Sequence, residues 1–342
     1  MRTGMTVRRL LFPVLASLVS SAFAGETVDS TGAEALWHRH LDAPAAYASF
    51  VRKVVPGPVF DCGDFTVECL AQANGPGTMQ RVMRAVPKNR NGKCPAVVAP
   101  FYFPEAMLGF DPSTGGVAST LAPSRTNLTY YAAVTYLADL ARRGYVAISA
   151  DACHLTYDPK DAPADAWKKW KHVGEALKRD WPEWSGIGKL AFDTRLLIDL
   201  LADDPRVDAG RIGIIGHSLG GKMAFYAGCL DPRIKVIVAS DFGIGWTQTN
   251  WNDVWYWGDR LEDLRAKGLS NADLLSQSGG KPFCLIAGKY DDADSGAVMR
   301  AAKGYDACPE RLLLIRHGTG HRPPRWATEE GYRFLDRYLK RL

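Results

Sequence analysis

The chain has 342 residues, of which 46% are hydrophobic and 23% charged, and its formal net charge is +5. The length is large for one domain but suits a single α/β sheet with insertions. The charge pattern gives no indication of a nucleic-acid partner, and there is no internal repeat or low-complexity linker.

The first 24 residues have the pattern of a secretory signal peptide. Arginines at positions 2, 8 and 9 precede an apolar run from Leu10 to Val19, and Ala22-Phe23-Ala24 forms an A-x-A cleavage site. We therefore expect residues 1–24 to be removed, residues 25–342 to form one domain with a net charge of +2, and the protein to be periplasmic or secreted. The apolar run is short for a membrane anchor, and no later stretch reaches the ~20 residues that a span requires.

Seven cysteines are an odd number for an exported chain, so at least one is unpaired or pairs with another chain. Cys229 and Cys284 lie in apolar patterns typical of core residues, whereas Cys62 could pair with Cys69 or Cys94. The cysteines have no paired C-x-x-C spacing, which argues against a structural zinc site.

Taken in chain order, the N-terminal part predicts a helical lead-in followed by an antiparallel hairpin. The lead-in covers residues 25–58, and the hairpin strands cover 65–72 and 79–87, separated by Asn74-Gly75-Pro76-Gly77. The apolar run 94–103 predicts the first strand buried on both faces.

Strands and helices then alternate. The predicted strands are 145–150, 211–215, 234–239, 282–287 and 311–315, and the predicted helices are 127–143, 190–202, one from about 219, and 326–342. This alternation predicts a doubly wound, mostly parallel α/β sheet with helices on both faces, in which ligands bind at the carboxyl ends of the strands.

The turn Gly216-His217-Ser218-Leu219-Gly220 stands between a predicted buried strand and a predicted apolar helix, which is the context of a G-x-S-x-G nucleophile elbow. A serine at the tip of such a turn adopts a positive φ, and side chains two residues away would collide with it. Ser218 is therefore the predicted nucleophile, and the amide of Leu219 is predicted to bind the oxyanion formed in acyl transfer.

A serine nucleophile needs a base and an acid that orients the base, and both should follow it in the chain. His321 lies on a glycine-rich loop after the last predicted strand and is the predicted base, with His317 as its rival. The side chain of His217, inside the elbow, should point away from the serine hydroxyl.

The predicted acid is Asp291, in the loop after strand 282–287, with Asp292 next. A second location is the loop after strand 234–239, where Asp241 lies. The acidic loop 288–294 also fits a solvated turn, or a calcium site if more oxygen ligands join it.

The elbow, the aspartate loop and Gly320-His321 before a terminal helix resemble the α/β-hydrolase superfamily, in particular its dienelactone-hydrolase and acetyl xylan esterase-like branches. The resemblance implies a serine carboxyl-ester hydrolase with no cofactor and no metal. It also implies a second oxyanion amide from the loop after the first buried strand, at Tyr102 or Phe103. Dienelactone hydrolases proper use a cysteine nucleophile, so their substrate is not implied.

The segment from Gly216 to Gly245 is also similar to bacterial glucuronoyl esterases. That family has a lysine four residues after the serine and an acid after the next strand, and Lys222 and Asp241 match these positions. The similarity implies that Lys222 could contact a uronate, although a solvated helix position is an equal alternative. The family has an arginine directly after the serine, where this chain has Leu219.

Two predicted insertions, 151–189 and 243–280, contain eight of the ten tryptophans. Aromatic faces over a cleft suit sugar rings or aromatic acyl groups, which favours esters of plant polysaccharides as substrates, with Trp257 as a binding residue. Core packing is the alternative for any single tryptophan. Other functions left open are a serine peptidase, a lactonase, and a catalytically silent carbohydrate-binding protein on a hydrolase scaffold.

Overall fold

The computed structural model describes residues 30–116, 134–157, 163 and 165–340. Within this part of the chain, nine strands form one sheet in the order β1-β2-β3-β5-β4-β6-β7-β8-β9. The strands are β1 Val54–Asp61, β2 Phe65–Gly75, β3 Thr78–Pro87, β4 Cys94–Val98, β5 Val146–Ala150, β6 Val207–His217, β7 Ile234–Ser240, β8 Phe283–Ala287 and β9 Leu312–Arg316.

The helices lie mainly between the parallel strands. They are α1 Ser30–Leu41, α2 Ala45–Ala48, α3 Pro104–Leu108, α4 Tyr136–Arg142, α5 Cys153–Thr156, α6 Ala166–Asp180, α7 Gly186–Ala202, α8 Leu219–Leu230, α9 Arg260–Ala266, α10 Asn271–Gln277, α11 Ser295–Ala301 and α12 Arg325–Leu339. A short 3-10 helix, Pro309–Arg311, precedes β9.

The sheet is antiparallel at one end and parallel elsewhere. β1, β2 and β3 pair antiparallel, and β3 joins β5 antiparallel. The strands β5, β4, β6, β7, β8 and β9 pair in parallel, so their carboxyl ends share one edge. β5 lies on one side of β4, and β6 lies on its other side. The strand order therefore reverses between β4 and β6, and ligands of such sheets bind at this point, at the carboxyl ends of the strands.

The core has a layer on each face of the sheet. Ile212 and Ile214 of β6 face one layer, which includes α7 and α8, whereas Ile215 faces the other, which includes α4 and α12. Alternate residues of one strand thus enter opposite layers, as its period of two requires. Both layers are apolar, so β6 is covered on both faces and its end is fixed in position.

The predicted α/β sheet is confirmed, with differences at particular elements. β1 was not predicted, because Pro56 and Pro58 interrupt its apolar pattern. β4 ends at Val98 rather than at residue 103, since Pro100 lacks an amide donor and Pro104 begins α3. The predicted signal peptide and the first seven residues of the predicted 127–143 helix lie outside the described residues.

All seven cysteines lie in the described residues and are unpaired, so the predicted pairing of Cys62 with Cys69 or Cys94 is not present. The helices that the structure describes include none long and apolar enough to cross a membrane.

Candidate active site

Ser218 occupies the turn between β6 and α8 with φ 56° and ψ −118°, the positive-φ conformation expected of a nucleophile elbow. Its amide donates to the carbonyl of Ser240, at 2.8 Å. A Cβ atom at Gly216 would lie 1.9 Å from the carbonyl oxygen of Gly220, and one at Gly220 would lie 2.1 Å from that of Pro100. Both glycines are therefore required for the turn to form, and the turn leaves Ser218 half-buried at the sheet edge.

His321 lies within hydrogen-bond distance of both a serine and a carboxylate. Its Nε2 is 3.0 Å from Ser218 Oγ, and its Nδ1 is 2.6 Å from Asp241 Oδ2. The loop after β9 brings it there, with Gly320 at φ 81°. Ser218 and His321 are thus brought together as predicted.

Asp241 directly follows β7 and is fully buried at φ 43°. Its Oδ1 accepts the amides of Gly288, Tyr290 and Asp291 at 3.1, 2.7 and 3.0 Å. Burial alone would raise the pKa of this carboxyl, but the hydrogen bonds from His321 and from these amides outweigh it and lower the pKa. Asp241 is therefore held ionised beside the imidazole.

The first choice of acid, Asp291, does not occupy the position beside the imidazole. Its Oδ2 accepts the amides of Phe242 and Gly243 at 2.9 and 3.1 Å, and its Oδ1 accepts the amide of Ile244 at 2.7 Å. Burial raises its pKa to about 6, and the amide hydrogen bonds offset this only in part. Asp291 binds the backbone of the loop after β7. The position beside the imidazole, which was predicted for Asp291, is occupied by Asp241.

The second choice, Asp292, is exposed and accepts from the amide nitrogen of Gln248, at 2.6 Å. Its carboxylate is therefore directed at a different part of the 243–280 segment and not at the histidine.

The other two histidines near the site contact other groups. The Nδ1 of His317, the rival base, lies 2.9 Å from Thr319 Oγ1. His217 is fully buried, with its Nδ1 3.1 Å from Ser240 Oγ, and burial lowers its pKa to about 3. Its ring lies 4.6 Å from that of His321, so a neutral imidazole packs against the candidate base.

Gly288 was not singled out from the sequence, although the site depends on it. A Cβ atom there would lie 2.4 Å from the carbonyl oxygen of Gly320 and 3.0 Å from Cγ of Asp241. This glycine lets the loop after β8 pack between the acid and the histidine loop. A glycine directly after an apolar strand was the only sequence signal for it.

Lys222 is buried in α8 beneath the loop after β7, which contradicts the solvated-helix alternative. Its amine donates to the carbonyl of Phe242 at 3.0 Å and lies 4.2 Å from the centre of the Trp251 ring. Burial lowers its pKa to about 7, against the opposing effect of Asp291 and other carboxylates. With an amine bound to protein groups, Lys222 does not reach solvent as a substrate contact would, so its predicted uronate contact is not supported.

The loop after β4 lies against the elbow. Gly220 touches the Pro100 carbonyl, and Leu219 is the first residue of α8, so its amide is one of the helix amides without an intrahelical acceptor. Tyr102 and Phe103 follow two and three residues after Pro100. The loop after β4 therefore packs directly against the elbow that carries the Leu219 amide.

Trp257, the predicted substrate contact, is only 1% exposed, and its indole nitrogen donates to the Tyr226 hydroxyl at 3.2 Å. The Trp257 ring packs against Trp37 at 5.9 Å between centres. It is a core residue because the 243–280 segment folds back onto α1 and α8. Among the described residues, no group of three or more His, Cys, Asp or Glu side chains could hold a metal ion.

The central part of the chain, residues 133–246, matches the model of the dienelactone hydrolase family. Over 273 residues, covering 74% of this chain and 81% of the relative, it is 23% identical to YtaP of Bacillus subtilis (strain 168), a protein named as a hydrolase.

Solved structures of esterases have a similar fold. The glucuronoyl esterase from Solibacter usitatus aligns with a TM-score of 0.63 at 14% identity, covering 90% of this chain and 91% of its own. Acetyl Xylan Esterase 1 from Thermoanaerobacterium sp. JW/SL YS485 aligns with a TM-score of 0.53 at 15% identity, covering 88% and 92%. The chain therefore has the fold of these esterases, a mostly parallel sheet with the elbow after β6, and its residues 133–246 are similar to the dienelactone hydrolase family.

Proposed function

We propose that the chain is a serine carboxyl-ester hydrolase that acts through a covalent acyl-enzyme, with Ser218 as nucleophile, His321 as base and Asp241 as the orienting acid. The observation that carries this proposal is the continuous hydrogen-bonded series in which His321 bridges Ser218 and Asp241, at 3.0 and 2.6 Å. A buried polar pair alone would be weak support, because such pairs are common in protein cores. Ser218, however, also has a positive φ, and this strained backbone conformation is typical of functional sites.

In the proposed reaction, His321 takes the proton of Ser218 as its oxygen attacks the ester carbonyl, and then gives that proton to the leaving alcohol. Asp241 holds the imidazole with its proton on Nδ1, so that Nε2 is free to accept. The amide of Leu219, with one from Tyr102 or Phe103, stabilises the oxyanion. Water activated by His321 then releases the carboxylic acid.

We further propose that the substrates are esters of plant polysaccharides or related small esters, and that the protein is exported. The names of similar proteins support this, since they include acetyl xylan and glucuronoyl esterases. The N-terminal residues 1–24 support export by their signal-peptide pattern.

The test compares the protein with its Ser218→Ala variant on p-nitrophenyl acetate, acetylated xylan and a methyl glucuronate ester. We expect the variant to lose hydrolysis by several orders of magnitude on every substrate the protein hydrolyses. Equal rates in both proteins would contradict the serine mechanism and favour a silent carbohydrate-binding protein, whereas amide turnover at rates near those of esters would favour a peptidase.

The pH profile is an independent check on the base. Because His321 must be neutral to accept the proton, we expect the rate to decline towards acid pH. A rate that does not fall at acid pH, where the protein is still folded, would contradict its role as base.

A further inference from the structure

Four aromatic side chains form a connected array that the proposed reaction does not use. The ring of Tyr102 stacks on that of Trp170, with centres 4.7 Å apart and planes at 10°. Trp167 meets Trp170 edge-on at 4.6 Å, and Trp255 lies 6.2 Å from both tryptophans. We call Tyr102, Trp167, Trp170 and Trp255 the aromatic array.

The array begins beside the nucleophile. Tyr102 belongs to the loop after β4, whose Pro100 touches Gly220 of the elbow, and the Tyr102 carbonyl accepts the amide of Ala152 at 3.0 Å. β4 and β6 are neighbours in the sheet, so the loops at their carboxyl ends lie side by side. From Tyr102 the array extends to α6, which supplies Trp170 and Trp167 and lies in the segment that follows β5.

The far end of the array is open to solvent. The Trp167 side chain is 59% exposed, Trp170 is half-buried, and Trp255 beneath them is 8% exposed. An exposed indole is costly to leave in water, since an aromatic side chain gains a large free energy when its face is covered. Most of the other large apolar side chains that are exposed in the described residues are valines in β1 or just before it. Trp167 differs from these valines because it belongs to the aromatic array and not to the edge of the sheet.

A sugar ring suits this exposed face better than an acyl chain does. One face of a pyranose carries C–H groups that pack on an indole ring, while its hydroxyl groups remain in water. Because Trp167 is 59% exposed, a ring stacked on it keeps its hydroxyl groups solvated. A simple acyl chain would instead gain most from a site that is closed to water.

We propose that the aromatic array is a binding subsite for a pyranose ring of the oligosaccharide that carries the ester, with Trp167 as its exposed stacking face. This inference rests on the proposed esterase function and adds to it the residue that binds the sugar part of the substrate. The sugar stacks on Trp167 while the ester lies at Ser218, so the array acts on binding of the substrate and not on the chemical step.

The test uses Trp167→Ala, with Trp326→Ala as the matched control. Trp326 is also an exposed tryptophan, at 37%, but it lies in α12 outside the array. We expect Trp167→Ala to lower kcat/KM on acetylated xylo-oligosaccharides by about tenfold or more, mainly through KM, while the rate on p-nitrophenyl acetate changes less than about twofold. Trp326→Ala should leave both rates unchanged.

Binding is measured separately from hydrolysis. In the Ser218→Ala background, calorimetric titration with unacetylated xylohexaose should detect binding that Trp167→Ala weakens by about the same factor and Trp326→Ala does not.

Three outcomes would overturn the inference. They are equal losses on p-nitrophenyl acetate and the oligosaccharide, no loss on either, or a loss on p-nitrophenyl octanoate alone, which would identify an acyl-chain site. Failure of the esterase proposal is distinguishable, since it would remove the Ser218-dependent rate on p-nitrophenyl acetate itself.

Discussion

At the scale of single residues, the carboxylate of Asp241 serves two groups through two different oxygens. Oδ1 accepts three backbone amides and Oδ2 accepts His321 Nδ1. An asparagine could keep its oxygen on the amides, but its NH₂ group would then face Nδ1. The imidazole would have to carry its proton on Nε2, where it could not accept from Ser218.

We therefore expect Asp241→Asn to fold and to lose about a thousandfold or more in kcat on p-nitrophenyl acetate. Asp292→Asn is the control, because Asp292 is exposed and contacts Gln248, and it should retain nearly full activity. A loss below about tenfold in Asp241→Asn would contradict its role.

Asp291→Asn should affect stability more than chemistry. Each oxygen of Asp291 accepts backbone amides, so an NH₂ group at either position faces a donor. We expect the free energy of unfolding to fall by about 2 kcal/mol in urea, and kcat to fall far less than in Asp241→Asn. A thousandfold loss of kcat in a variant as stable as the parent would reinstate Asp291 as the acid.

The sequence was sufficient to predict that Ser218 and His321 lie together, because a glycine-flanked elbow and a late glycine-rich histidine loop are local patterns. It was not sufficient to predict whether Asp241 or Asp291 would lie beside the imidazole of His321. Both are aspartates just after neighbouring parallel strands, and the difference is which backbone amides each carboxylate meets. That depends on the positive φ of Asp241 and on Gly288, neither of which a single sequence reveals.

His154 introduces a pH dependence of stability that is separate from catalysis. It is 1% exposed, both ring nitrogens lack partners among the described residues, and burial lowers its pKa to about 3. A histidine whose folded pKa is lowered binds more protons when unfolded, so its stabilising contribution is complete above about pH 6.5 and is lost as the pH falls.

We expect His154→Phe to remove the part of the acid-induced loss of stability that comes from protonation of His154. Between pH 7 and 5, the parent should lose up to about 2 kcal/mol of unfolding free energy more than the variant, as measured by urea denaturation. Between pH 7.5 and 9 the imidazole is neutral in both states, so the two proteins should change in parallel. Parallel behaviour across the acid range would contradict the buried neutral state.

At the scale of elements, the elbow depends on close backbone packing between β6, α8 and the loop after β4. The contacts that a Cβ atom would make at Gly216 and Gly220 are with backbone carbonyls, which cannot move aside as side chains can. The packing of β6 and α8 on either side of Ser218 thus holds its backbone in the strained positive-φ conformation.

We expect Gly216→Ala to lose about 3 kcal/mol of unfolding free energy and most of the esterase activity. Gly318→Ala is the control in the histidine loop, since a Cβ atom there would meet nothing within 4 Å. Thermal unfolding and the rate on p-nitrophenyl acetate test both variants, and a fully active Gly216→Ala protein would contradict the packing argument.

Elements with a strong local sequence pattern were predicted more accurately than elements that depend on tertiary contacts. The apolar strands β5, β7, β8 and β9 were predicted to within a residue or two at each end, because continuous apolar runs bounded by glycine or proline are typical of buried parallel strands. β1 is exposed and contains two prolines, so its pairing with β2 is a tertiary effect that the local pattern contradicts.

At the scale of the whole molecule, the fold is stabilised without disulfides in the described residues, although the N-terminal pattern predicts export. Four of the seven cysteines are buried, and burial raises the pKa of the Cys153 and Cys229 thiols to about 12, so these are poor nucleophiles.

We expect a thiol reagent at pH 8 to react readily with no more than the three partly exposed cysteines of the native protein, Cys62, Cys69 and Cys308. In guanidinium chloride without reductant, all seven should react. A count of five or fewer in denaturant would demonstrate a disulfide and contradict the unpaired state.

The sheet has one edge at β1, where Val54, Val55 and Val59 are 39 to 63% exposed. An apolar edge of this kind is a template on which further chains can add as strands, the first step towards fibrils. Pro56 and Pro58 remove two amide donors from this eight-residue strand, which makes it a poorer template for an added strand. The same two prolines that concealed the strand from sequence prediction thus guard the molecule against self-templated aggregation.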